Sequence, residues 1–150
     1  MKKAFWLATL AYLVPTFPLG YFWHLTTFRA AYERLEMYRP DVIIPFGLIS
    51  MAIQALAFAW AYPRLFSTRR EDWLKSAAAF FAVFAAVSWS FSTLAVGAKY
   101  RMTSVPDFVM LETAFTLIQF AVVAPLIALA YRGVQAPLSA TALADREAAV

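Results

Sequence analysis

The chain has 150 residues, 63% of them hydrophobic and only 15% charged, with a formal net charge of +4. A soluble domain is usually about 45–50% apolar and about 25% charged, so an ordinary soluble core does not account for this composition. The lack of cysteine excludes disulfides and thiolate metal sites, and the small, scattered basic excess suits the lipid bilayer as a partner, not nucleic acid.

Four stretches carry no charge: 25 residues between Lys3 and Arg29, 22 between Asp41 and Arg64, 23 between Lys75 and Lys99, and 19 between Glu112 and Arg132. Each matches the roughly 20 residues that a helix needs to cross about 30 Å of hydrocarbon. The stretches are continuously apolar rather than alternating, which predicts helices and not barrel strands. The expected fold is an all-α membrane protein, a four-transmembrane-helix bundle. It occupies residues 1–137 as a single domain, with a short C-terminal tail at 138–150 that is frayed or partner-bound.

In the first span, Lys2 and Lys3 imitate the start of a signal peptide. The apolar run passes the about 7–15 residues of a signal core and contains Pro15 and Pro18, so it is expected to be retained. The two prolines are expected to bend it. Tyr12, Thr16, Gly20 and His24 follow at i+4 steps on one face. Residues 29–41 mix charges with Leu35, Met37 and Tyr38, which reads as a helical extension at the surface, either solvated or docking a partner.

The second span follows Pro40-Asp41 and carries Gly47, Ser50 and Gln54 at i, i+3 and i+7. The third opens on Thr68-Arg-Arg-Glu71, which reads as a capping box. It contributes Ser88 and Ser92, and a row formed by Ala78, Ala82 and Ala86 is expected to bring a neighbouring helix close. The fourth opens on Ser104-Val-Pro-Asp107, read the same way, and carries Glu112, Thr116 and Gln119 at i, i+4 and i+7. Every span thus has one polar stripe, expected to face the bundle interior because a polar group facing lipid is costly.

The spans also repeat. Trp23 and Trp89 each stand 17 residues before a Pro-Asp pair, Pro40-Asp41 and Pro106-Asp107, at an offset of 66. One residue of slippage aligns Gln54 with Gln119, and Gly47 with Glu112, at 65. Two helical hairpins, about 4–63 and 68–132, are therefore expected to be related by a pseudo-two-fold axis along the membrane normal. Asp41 and Asp107 mark the outer ends of the second helix of each hairpin, where a carboxylate favours the positive end of the helix dipole.

Basic residues favour the side of the termini and the 64–75 loop by eight to five, which places both termini in the cytoplasm of a multi-pass inner-membrane protein. The candidate polar interior is Glu112, Thr116, Gln119, Gln54, Ser50 and His24. Glu112 is either a buried functional acid or a partner of Arg101 or Lys99 near the interface. With one histidine and no cysteine, neither metal nor haem is expected, no cofactor is assigned, and no catalytic motif is present.

The stretch from Pro15-Thr-Phe-Pro-Leu-Gly through Trp23-His24, with Tyr38-Arg-Pro-Asp-Val-Ile-Ile-Pro-Phe-Gly47, resembles uncharacterised bacterial four-span proteins, domains of unknown function. That resemblance implies the topology and a bacterial origin and assigns no site residue. The leading expectation is a structural or accessory subunit of a membrane complex or homo-oligomer. The alternatives are a small proton-coupled transporter or channel using Glu112, and a module binding lipid, quinone or pigment.

Overall fold

A computed structural model describes residues 2–134, and the expected tail at 138–150 lies outside the described residues. Among the described residues every regular element is helical. α1 (Lys2–Phe22) runs through Pro15 and Pro18 into a π-turn, Trp23–Thr27, and is followed by the short α2 (Arg29–Arg34). α3 (Ile44–Leu65) leads back. α4 (Trp73–Trp89) continues through a second π-turn, Ser90–Leu94, into α5 (Ala95–Lys99), and α6 (Val105–Tyr131) completes the chain. The stretches Lys2–Thr27, Ile44–Leu65, Trp73–Lys99 and Val105–Tyr131 are each long and apolar enough to cross a membrane. We call the end that carries α2 and residues 100–104 distal, and the opposite end, with residues 66–72, proximal.

Two helix starts differ from the sequence expectation. Pro40-Asp41 lies before α3, whose first turn holds Pro45 instead, so Asp41 sits in the loop with Arg39 4.0 Å away. Thr68 does not cap α4, which begins at Trp73. Its hydroxyl donates to the Val134 carbonyl at 2.6 Å and its own carbonyl accepts from the Gly133 N–H at 2.7 Å, so it secures the end of α6. Gly133 holds the left-handed φ of 77° that closes this turn. The third start agrees: Ser104 Oγ accepts from the Asp107 N–H at 3.3 Å, with Asp107 in the first turn of α6.

α1 and α6 pack along one another at the centre, α3 flanks α1, and α4 flanks α6. The backbones of α3 and α4 barely meet, so the α1–α6 interface has no counterpart between them. Aromatic rings fill the proximal half of that gap. Phe80, with no exposed surface, touches Phe58, Tyr62, Phe66, Phe84 and Phe120 at centroid distances from 4.7 to 6.3 Å. Residues 44–54 of α3, beyond this cluster, include no buried position. The alanine row is a correction: Ala78, Ala82 and Ala86 are exposed, and Ser76, Ala77 and Ala85 face inward. α4 buries the phase set by Phe80, whose ring is worth far more packing contact than a row of methyl groups.

Candidate functional site

The polar stripes of all four long helices converge on one cavity of about 550 Å³. α1 supplies Tyr12 and Thr16, α3 supplies Gly47, Ser50 and Gln54, α4 and its π-turn supply Ser88 and Ser92, and α6 supplies Glu112, Thr116 and Gln119. Rings of Phe58 and Phe84, 4.8 Å apart, close its proximal end. Its rim residues Gly47, Ser50, Phe91 and Ser92 are exposed, so it opens sideways between α3 and α4. Nothing stands within 4 Å of where a Gly47 side chain would begin.

Deep in the cavity the two glutamines meet on one hydroxyl. Tyr12 Oη donates to Gln54 Oε1 at 2.5 Å and accepts from Gln119 Nε2 at 2.9 Å, while Gln54 Nε2 donates to Ser50 Oγ at 3.2 Å. α1, α3 and α6 are thereby tied at one point. We expect Tyr12→Phe to destabilise the bundle by about 1–2 kcal/mol, because it leaves one amide donor and one acceptor without a partner. Detergent-to-SDS unfolding titrations measure this, and an unchanged midpoint would show that water replaces the hydroxyl without cost.

At the distal end Glu112 is buried on α6, and Arg101 and Lys99 are not its partners. Its Oε1 accepts from Tyr32 Oη at 2.7 Å and lies 3.2 Å from His24 Nε2, while among the described residues nothing bonds to Oε2. His24 Nδ1 is 3.0 Å from the Gly20 carbonyl, which only accepts, so Nδ1 carries a proton. The His24 ring meets Tyr32 at 5.0 Å and Phe115 at 4.5 Å. The π-turn at Trp23–Thr27 begins immediately before this histidine, and such turns are frequent at functional sites.

Tyr32 is not among the site residues expected from sequence, and Tyr12 is expected only as part of the inward stripe of the first span. Tyr32 belongs to the segment read as a surface extension, and only part of that expectation holds. Arg29 and Glu33 form an exposed pair at 2.7 Å, whereas Tyr32 and Leu35 are buried. The segment folds over the distal end and is fixed there by Thr103, whose N–H donates to the Leu35 carbonyl and whose hydroxyl donates to the Arg34 carbonyl. Tyr38 stacks on Tyr32 at 4.9 Å. Burial, reinforced by the Glu112 carboxylate, pushes the Tyr32 phenol above the ordinary tyrosine range, so it serves Glu112 as a neutral donor. A Tyr32-to-Leu35 spacing of three residues was the available signal, and the surrounding charges hide it.

His24 does not line the cavity. It lines a vestibule of about 450 Å³ at the distal surface, together with Arg29, Glu33, Glu36 and Arg39. The Glu112–His24 contact thus stands between vestibule and cavity. Asp41 and Asp107 are both exposed, and neither lines the cavity or the vestibule.

No protein-family model, no curated protein and no solved structure matches the chain.

Proposed function

We propose that the chain is a four-span integral membrane protein of the cytoplasmic membrane, a small proton-coupled transporter that binds an organic cation in its cavity. The observation that carries this is the single carboxylate of Glu112 on the wall of a half-open cavity whose lining includes no basic side chain. The remaining surface joins hydroxyls and amides to the rings of Tyr12, Phe58, Phe84, Phe91 and Phe115. A carboxylate among aromatic faces is the chemistry that holds an ammonium or phosphonium ion, and an acid inside a span marks a functional site by default. The buried Thr16 hydroxyl has no partner among the described residues, which leaves one more polar group for a bound molecule.

Four apolar helices, the charge bias and the sideways opening support placement in the bilayer, with the proximal face toward the cytoplasm. A π-turn beginning at Trp23 and another directly after Trp89 support reading the hairpins as diverged copies. The divergence between Gly47 and Glu112 then gives one copy the carboxylate and the other the space beside it. The Tyr12 trio is equally at home in a purely structural subunit; the cavity and its acid favour binding.

Binding of tetraphenylphosphonium to protein in lipid nanodiscs tests the proposal. The wild type binds, and Gly47→Phe, whose Cβ starts into open space at the cavity rim, lowers affinity at least ~10-fold while the unfolding midpoint stays put. Failure of the wild type to bind, or equal binding by Gly47→Phe, overturns it.

A further inference from the structure

The Nε2–Oε1 contact has a proton count that geometry sets. Because Nδ1 donates to Gly20, a hydrogen bond from Nε2 to Glu112 needs one proton between them. Either the imidazole is cationic beside a carboxylate, or a neutral imidazole accepts from a carboxylic acid. Both forms are neutral overall, and with no proton between them a lone pair on Nε2 faces an anionic oxygen. Tyr32 donates to the same oxygen in either form.

We infer that Glu112 and His24 share one proton, and that a cation entering the cavity displaces it through His24 into the distal vestibule. The inference rests on the cation-binding proposal above and adds to it the exit route of the proton. The exchange balances in charge. The neutral pair plus one external cation becomes a cation beside Glu112 carboxylate with neutral His24, plus one proton on vestibule water. The bond that breaks is Nε2–H, formed first by transfer from the carboxyl group when the proton begins there. Nδ1–H and its bond to Gly20 are unchanged, the cation faces Oε2, and the bare Nε2 accepts from vestibule water.

The surroundings favour this direction. On the vestibule side stand Tyr21 from α1, Arg29, Tyr32 and Glu33 from α2, and Glu36, Tyr38 and Arg39 from the following loop. Arg29 is already paired with Glu33, which leaves the vestibule able to carry a transient proton in water. On the cavity side, α3 and α4 present no charged side chain, and the rings of Phe58 and Phe84 stand between Glu112 and the proximal face. Among the described residues the vestibule is therefore the polar way from Glu112 to the surface.

His24 is the sole histidine and the chain has no cysteine, so both ends of the route can be labelled without ambiguity. Protein containing ¹⁵N-histidine, in nanodiscs, reports the ring directly, and it is expected to keep Nδ1 protonated throughout. For the proton, a pH-sensitive fluorescein is attached at Pro40→Cys, in the vestibule, or at Arg69→Cys, on the proximal face, in weakly buffered vesicles. Adding tetraphenylphosphonium is expected to release about one proton per cation bound, sensed first at the Pro40 label and not at the Arg69 label. Glu112→Gln abolishes both binding and release. Binding without release, release sensed first at the Arg69 label, or a ring protonated only on Nε2 overturns the inference while the cation site stands. If the wild type does not bind the cation, the cation site itself fails, and the ring spectrum still decides whether the shared proton exists.

Discussion

Glu112→Gln is expected to lower affinity for a lipophilic cation by at least ~100-fold while the bundle stays folded. The size follows from removing one charge: at about 4 Å and an effective dielectric near 20, a carboxylate–cation pair is worth about 4 kcal/mol, and each 1.4 kcal/mol is about tenfold. The fold is retained because the amide has the shape of the carboxylate. With its oxygen in the Oε1 position it still accepts from Tyr32 Oη, and His24 Nδ1 still donates to the Gly20 carbonyl. Equilibrium dialysis of tetraphenylphosphonium and SDS unfolding separate the two effects. A folded variant with wild-type affinity would remove Glu112 from the site.

Phe80→Ala is expected to cost about 2–4 kcal/mol and to open the closed end of the cavity. Phe80 is fully buried and is the ring through which Phe58, Tyr62 and Phe66 on α3 meet α4. A Phe→Ala change in a soluble core costs about 3–5 kcal/mol. Within a bilayer the loss is chiefly packing, since lipid tails are as apolar as the side chain, so the cost falls about 1 kcal/mol below that range. The variant also removes the contact that backs Phe84, at 4.7 Å, and Phe120, at 6.3 Å. Vesicles carrying it should leak protons faster than wild type, read with an entrapped pH dye. A loss below about 1 kcal/mol with an unchanged leak would mean that the gap between α3 and α4 is closed by something other than these rings.

The long helices were legible because uncharged runs of bilayer length have few other readings, and the inward faces because polar residues recur at helical spacing. Tyr12 was placed on its stripe, and the interior set of Glu112, Thr116, Gln119, Gln54 and Ser50 does line one cavity. His24 reaches it through Glu112 and faces the vestibule instead. What sequence could not supply was pairing across distance. For Glu112 the sequence offers, beside a buried functional acid, a pairing with Arg101 or Lys99, which are near in sequence and opposite in charge. A buried carboxylate is held instead by the uncharged phenol of Tyr32, 80 residues away, which brings no second desolvated ion. The start of α3 was misread for a local reason: two prolines, Pro40 and Pro45, stand near it, and the second takes the first turn. The alanine row failed by one residue of helical phase, which small side chains cannot resolve when Phe80 competes for the interior.

The cation-binding proposal requires a wet cavity inside a membrane, lined by polar residues at mid-bundle depth. Single cysteines introduced into this cysteine-free chain test it by their reaction with a small membrane-permeant maleimide, which reacts with the thiolate and therefore needs a wet thiol. Ser50→Cys and Ser88→Cys, on the cavity wall, should react. Ile53→Cys and Val83→Cys, whose side chains are 62% and 49% exposed on the outside of the bundle, should be shielded by lipid. The opposite pattern, with Ile53 and Val83 labelled and the two serine positions protected, would contradict both the membrane placement and the cavity.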